Sequence, residues 1–269
     1  MPSHRPPPIP CSAACLLFML LVTPPLVAQT PVAQSLPTPS LPASTLTCPA
    51  ASGWAPSPPE QVLHRYQVTG RASAIPYRAQ AEIRWQRRPG QAYTLEYDVK
   101  AFWGAGRTQT SEGLWQTSGL RPLRFTEKGK RTLLTVADPA QRSVKLPLAS
   151  EAQPWAEGSQ DKLSAWVQLG WWVACAASPF EKTPRLTMPV WASGDIETWT
   201  WVVGGWGPLE TAYGPRKALQ LTRPAGLGGD SRIDLWFVPE WGALPIRVKV
   251  TQANGDEADQ VLTERSPAP

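Results

Sequence analysis

Between Asp230 and Glu264 the chain alternates apolar and polar residues strictly enough to demand a sheet with one buried face. Ile233, Leu235 and Phe237 alternate with Arg232, Asp234 and Trp236. Leu244, Ile246, Val248 and Val250 then alternate with Pro245, Arg247, Lys249 and Thr251. A period of two places successive side chains on opposite faces of a strand. The segment predicts three consecutive antiparallel strands. Asn254-Gly255 supplies the two residues that favour positive φ in a type I′ hairpin. A hairpin centred there would pair Val248 with Val261 and Val250 with Asp259, placing the Asp259 carboxylate on the otherwise apolar face.

The N-terminus carries a different signal. Ala13 to Val22 form an apolar run, preceded by Arg5 and followed by Thr23-Pro24-Pro25 and Leu26-Val27-Ala28. A basic start, a short apolar stretch and a small residue at a cleavage point predict a secretory signal peptide over residues 1–28. The run is shorter than the roughly 20 apolar residues of a membrane span. The expected location is the periplasm, with no transmembrane span after cleavage; the alternative is an inner-membrane anchor formed by an uncleaved signal. Cys15 follows Ser12-Ala13-Ala14 but precedes the apolar run, which argues against lipidation there. Gln29 to Glu60 place eight prolines in a Ser/Thr/Ala background. Such a segment cannot bury enough surface to offset its ordering entropy, so a disordered or extended linker is expected over residues 29–60. Residues 61–265 remain for a single domain.

Within that domain Val62 to Arg71, Ile75 to Arg87, Ala92 to Phe102, Thr108 to Trp115, Leu123 to Thr126, Arg131 to Val136, Ser143 to Leu148, Thr198 to Val203 and Lys217 to Thr222 read as strands, with Gly and Pro pairs between them. The expected fold is mainly β: a curved antiparallel sheet or open half-barrel with one long helix packed on or in it. The helix is expected from Ser159 to Ser178. Ser159 suits an N-cap, Asp161 the first turn, and Leu163, Trp166, Val167, Gly170, Trp171 and Ala174 recur at helical spacing before Pro179. Trp172 falls nearly opposite Leu163, so the helix carries bulky apolar groups on more than one side. It is either sandwiched in the core or a lid whose second face meets a ligand.

Catalytic sets are scarce. His4 and His64 are the two histidines, and no G-x-S-x-G elbow, P-loop or G-x-G-x-x-G opening a helix is present. The usual zinc ligands are too few. Gly204-Gly205-Trp206-Gly207 and Gly226-Leu227-Gly228-Gly229 read as turns between strands. No cofactor or metal is expected. Asp259, if held on an apolar face, could act as a general acid; a carboxylate there could equally bond backbone amides at a sheet rim. The net charge of +5 arises from scattered basic residues such as Arg84, Arg87, Arg88, Lys128, Lys130 and Arg131, which fit solvated strand faces better than a nucleic-acid footprint. Cys48 and Cys175 remain after cleavage; in an oxidising compartment they would form a disulfide, or else stay as two free thiols. Fourteen tryptophans stand out. Most suit a large aromatic core, while exposed ones would suit an apolar binding groove. Trp166, Trp172 and Trp236, with Asp259, are the candidate ligand-contacting residues.

The segments Arg71-Ala72-Ser73-Ala74-Ile75-Pro76-Tyr77, Gln109-Thr110-Ser111-Glu112-Gly113-Leu114, Gly158-Ser159-Gln160-Asp161-Lys162-Leu163-Ser164, Asp234-Leu235-Trp236 with Leu244-Pro245-Ile246-Arg247, and Thr251-Gln252-Ala253-Asn254-Gly255-Asp256 together resemble the domain-of-unknown-function 3108 (DUF3108) family of exported proteobacterial proteins. The resemblance runs from about Val62 to Glu264 and implies an exported, mostly antiparallel β protein. The Trp-x-x-Pro and Leu-Pro-x-Arg patterns near the end are more weakly similar to lipoprotein localisation factors, open half-barrels with a helical lid over an acyl-chain cavity. Neither resemblance supplies catalytic residues. The leading expectation is a non-catalytic binding protein that takes a lipid, lipoprotein or other envelope component in a concave apolar face. A filled-core domain that contacts an envelope protein is the alternative, and a carboxylate-based glycan hydrolase a third.

Overall fold

A computed structural model describes residues 41–42, 58–101, 106–175, 185–226 and 231–267. The segments expected as signal peptide and, for the most part, as linker lie outside the described residues, as do Cys48 and the side chain of Cys175, so the expected disulfide falls there too.

The strands are β1 (Leu41–Pro42), β2 (Gln61–Ala72), β3 (Ile75–Arg88), β4 (Ala92–Ala101), β5 (Gly106–Gln116), β6 (Gly119–Lys128), β7 (Thr132–Asp138), β8 (Ser143–Lys145), β9 (Gln153–Pro154), β10 (Gln160–Asp161), β11 (Arg185–Trp191), β12 (Ile196–Leu209), β13 (Arg216–Arg223), β14 (Arg232–Phe237), β15 (Arg247–Thr251) and β16 (Glu257–Ser266); the helix α1 is Ser164–Cys175. They form one sheet in the order β1-β11-β12-β13-β14-β15-β16-β2-β3-β4-β5-β6-β7-β8-β9, with β10 also on β11. β1 and β10 pair parallel with β11; the other neighbours pair antiparallel, and β16 pairs with β2 to join the C-terminal half to the N-terminal half. The sheet curls without closing. Its ends meet through a cluster of Trp191 with Val144, Leu146 and Trp155, and through one backbone hydrogen bond from Leu148 N to Ser193 O at 3.0 Å.

The alternation read from the sequence at Ile233, Leu235 and Phe237 on β14 is the alternation observed; these face inward and are buried, as are Val62, His64, Tyr66 and Val68 on β2 and Ala79, Ala81, Ile83 and Trp85 on β3. Strand β11 is an addition to the strands read from the sequence, and it contains Pro189. The sheet tolerates that proline. β1 pairs with β11 up to Thr187 and β10 only from Val190, so neither lies opposite Pro189. Gly204-Gly205-Trp206-Gly207 is not a turn but part of β12. The register there shifts between Val203 and Gly205, and Gly205 has φ of +95°, a bulge that glycine admits without steric cost.

The C-terminal hairpin differs from expectation by one residue. Gly255 N donates to Gln252 O at 3.0 Å, Gln252 N donates to Asp256 O at 2.7 Å, and Gly255 has φ of +83°. Asn254 is not among the positive-φ residues. This is a three-residue loop, a type I turn followed by a glycine bulge, rather than a two-residue type I′ turn. Lys249 therefore pairs with Asp259 and Val248 with Gln260. A one-residue slip moves every side chain to the other face, so Asp259 lies on the polar face and Gln260 is the residue that points inward.

The helix settles between its two readings. From Leu163 to Val173 every side chain is buried, and a helix apolar all round belongs inside a core. Helix α1 fills the interior of the curled sheet. Its N-cap is Asp161, not Ser159. Asp161 Oδ1 accepts hydrogen bonds from the Leu163 and Ser164 amides at 2.9 and 2.7 Å, and the Asp161 amide donates back to Ser164 Oγ at 2.9 Å. This reciprocal arrangement satisfies three otherwise orphaned backbone donors.

Candidate functional site

With α1 in the interior, one open apolar cleft lies at the end of the sheet where the β2–β3 and β15–β16 turns sit side by side. The first is a two-residue turn with both Ser73 and Ala74 at positive φ, +49° and +66°. Neither is glycine, and such a conformation is costly unless the surroundings hold it. Asp256 supplies that hold. Its Oδ1 accepts from the Ser73 amide at 2.6 Å, while its Oδ2 accepts from Asn254 Nδ2 at 2.6 Å. One carboxylate thus ties the two turns together.

Beneath them a cleft of about 60 Å³ is lined by Val68, Tyr77, Tyr97, Val99, Val250 and Ala258, with Arg71, Gln252, Asp256, Glu257 and Gln260 around it. Tyr77 lies across Gly70 of the neighbouring strand. A Cβ at Gly70 would come within 2.5 Å of the tyrosine ring, so the glycine makes room for the aromatic wall. Tyr97 donates a hydrogen bond to Gln260 Oε1 at 2.7 Å and meets Trp166 of α1 edge to face, 5.7 Å between ring centres. Burial raises both phenols, with Tyr77 pushed up to about 12 by burial and by the Asp256 and Glu257 carboxylates. Both rings are therefore neutral walls at neutral pH. One cavity of this size holds only a few water-sized groups, given the roughly 10–15 Å³ that one water needs.

The four candidate residues do not come together. Trp166 forms the floor behind Tyr97. Trp172 lies on another part of α1 and lines a separate cavity beside the β5–β6 turn. Trp236 and Asp259 are on the outer face, joined by Arg247. The guanidinium of Arg247 stands 4.9 Å from the Trp236 ring and bonds both oxygens of Asp259. Asp259 is thus a carboxylate paired with Arg247 on the outer, polar face, and not on the apolar face that the type I′ register implied.

Sequence reasoning missed Tyr77, Tyr97 and Gln260. The inward face of β4 was legible, but Gln260 was assigned to the wrong face by the turn, and only the pairing of β16 with β2 brings it near Tyr97. Also missed was a buried ionic cluster. Glu127 Oε1 accepts from Arg107 Nη2 at 2.5 Å and from Gln109 Nε2 at 2.8 Å, with Lys162 Nζ 3.9 Å from Oε2. Burial lowers the Lys162 amine. Among the described residues no group of three or more His, Cys, Asp or Glu side chains could hold a metal ion, and no helix is long and apolar enough to cross a membrane.

The arrangement defines a β-barrel-like protein with a helix inside an unclosed sheet. That class agrees with the crystal structure of a beta-barrel-like protein of domain of unknown function DUF1849 from Brucella abortus. The two share 9% sequence identity and a TM-score of 0.53, over 78% of this chain and 98% of that one. A protein from Parabacteroides distasonis assigned as a lipoprotein is similar at 9% identity and a TM-score of 0.33, over 77% of this chain and 96% of that one. No protein-family model and no curated protein matches the sequence. The resemblance to the domain-of-unknown-function 3108 family therefore finds no family model in support, and what stands of it is the β-barrel-like fold.

Proposed function

We propose that this chain is an exported, non-catalytic binding protein of the cell envelope. In this reading the cleft between Tyr77, Tyr97, Val99 and Val250 takes an apolar group presented by a lipid or lipoprotein. The observation that carries the reading is an open apolar cleft with a polar rim at the mouth of a sheet whose interior is occupied by α1. Barrel mouths are habitual ligand sites. Because α1 fills the concave face, the occupant is the tip of an acyl chain rather than its full length.

The test is titration of the purified chain with a lauroylated peptide and with an environment-sensitive hydrophobic dye. Saturable binding that Val99→Trp abolishes, with the melting temperature retained, is the expected result. Absence of binding by both probes would overturn it.

A second reading is a filled-core domain that presents its surface to an envelope protein. It is favoured by the burial of α1 from Ser164 to Val173. Co-purification of a stoichiometric envelope protein, unaffected by Val99→Trp, would select it over the first.

A further inference from the structure

The second cavity, beside the β5–β6 turn, has a different character. It measures about 150 Å³ and is lined by Arg121 of β6, by Gly158, Ser159 and Gln160 ahead of α1, and by Gln168 and Trp172 of α1, among others. Its frame is fixed. Gln168 Oε1 accepts from the Leu120 amide at 2.6 Å and its Nε2 donates to Ser118 O at 3.2 Å, which pins the β5–β6 turn to the helix. Gly119, at φ of +121°, allows this contact, since a Cβ there would strike the Gln168 side-chain amide. On the other side Gln160 Nε2 donates to Leu120 O at 2.9 Å.

Four of the lining side chains carry a buried polar atom that no protein group satisfies: Arg121 Nε, Ser159 Oγ, Gln160 Oε1 and Trp172 Nε1. Buried polar atoms are nearly always paired, so four orphans on the lining of one cavity need a common explanation. Three of the four are hydrogen-bond donors, and one donor belongs to a guanidinium that stacks 5.0 Å from the Trp155 ring. Glu157 also lines the cavity, but it is exposed, and solvent screens its charge. Donors that outnumber acceptors, beside a fixed cation, match a group rich in acceptors. The space exceeds the roughly 10–15 Å³ of one water several-fold.

We propose that this cavity binds a small oxyanion, a carboxylate or phosphate group, held by Arg121, Ser159 and Trp172. Gln160 Oε1 would accept from a hydroxyl carried on the same ligand. The site is independent of the cleft at the mouth of the sheet, so the two readings stand or fall separately.

The indole proton of Trp172 reports on it directly. In the full chain with ¹⁵N-labelled tryptophan, the Trp172 resonance is assigned by its loss in Trp172→Phe. It is then followed during titration with inorganic phosphate, with glucuronate and with neutral glucose, at constant ionic strength. A saturable shift with phosphate or glucuronate, absent with glucose and weakened about tenfold in Arg121→Gln, is the expected result. Phosphate alone shifting the resonance assigns the site to phosphate groups, and glucuronate alone assigns it to carboxylates. If Arg121→Gln does not fold, Ser159→Ala replaces it, with a smaller loss of affinity expected. No shift with either anion, an equal response to glucose, or undiminished affinity in the folded variant would overturn the proposal.

Discussion

Arg247 grips Asp259 with both arms of its guanidinium on the outer face of the sheet, Nε to Oδ1 at 2.9 Å and Nη2 to Oδ2 at 2.5 Å. The same guanidinium covers the ring of Trp236. Three strands, β14, β15 and β16, are thereby stitched across their polar side.

The pair is bidentate but partly exposed, with side-chain exposures of 29% and 21%. Solvent screening keeps such pairs to about 1 kcal/mol or less. Asp259→Asn is expected to lower the unfolding free energy by no more than about 1 kcal/mol, whereas Arg247→Ala, which also uncovers Trp236, should cost more. Urea unfolding of both variants checks the order. A loss of several kcal/mol in Asp259→Asn would contradict its place on the polar face.

How legible this was beforehand depended on range. Inward and outward positions along β14 follow from side-chain alternation, which is local, and they read correctly. The hairpin at Asn254-Gly255 did not. Both a two-residue and a three-residue loop accept Gly255 at positive φ, and only the partner strand decides between them. That single residue exchanged the roles of Asp259 and Gln260. The helix cap was ambiguous for a similar reason. Ser159 and Asp161 are both good caps, and what selects Asp161 is Ser164 three residues on, which returns the hydrogen bond. The mouth cleft was beyond reach, since Tyr77 and Gln260 meet only through the β16–β2 pairing.

Gly170 on α1 is the point of closest approach between the helix and the segment after β14. A Cβ there would land on the carbonyl of Ala243 and within 2.7 Å of the Phe237 ring. Alanine is favoured over glycine in a helix by about 1 kcal/mol, yet backbone cannot yield as a flexible side chain can. Overpacking of this kind costs about 1–3 kcal/mol, so Gly170→Ala should destabilise despite its propensity. A higher melting temperature in this variant would show that α1 packs less closely than described.

Glu127 answers two buried cations, Arg107 and Lys162, whose side chains are 13% and 10% exposed. Removing one partner of a buried cluster leaves charge uncompensated, at about 3–5 kcal/mol. Glu127→Gln keeps the shape and one acceptor but not the charge, so a loss near the lower end of that range is expected from urea unfolding. Lys162→Met in the same background should restore part of it, because burial already disfavours the Lys162 ammonium.

Two buried groups titrate in overlapping ranges with opposite effect. His64 Nδ1 donates to Pro245 O, 3.2 Å away, and burial pushes its imidazole from 6.5 down to about 4. Between those values the unfolded chain binds a proton that the folded chain refuses, so this group makes stability rise with pH. Asp161 is pushed from 3.8 up to about 6 by burial, against the hydrogen bonds from Ser111 and from the Ser164 and Leu163 amides. Between those values the folded chain holds a proton that the unfolded chain has lost, so this group makes stability fall as pH rises. Each effect amounts to about 3 kcal/mol when a shift of one unit is worth about 1.4 kcal/mol. In the intact protein the two largely cancel from pH 4 to pH 6. Single variants should separate them. Asp161→Asn, whose amide oxygen still caps α1, should show stability climbing from pH 4 to pH 6.5, while His64→Gln should show it declining from pH 4 to pH 6. Urea midpoints measured at half-unit steps read the two slopes. The same slope in both variants would mean that one of these groups is not held in the buried state described.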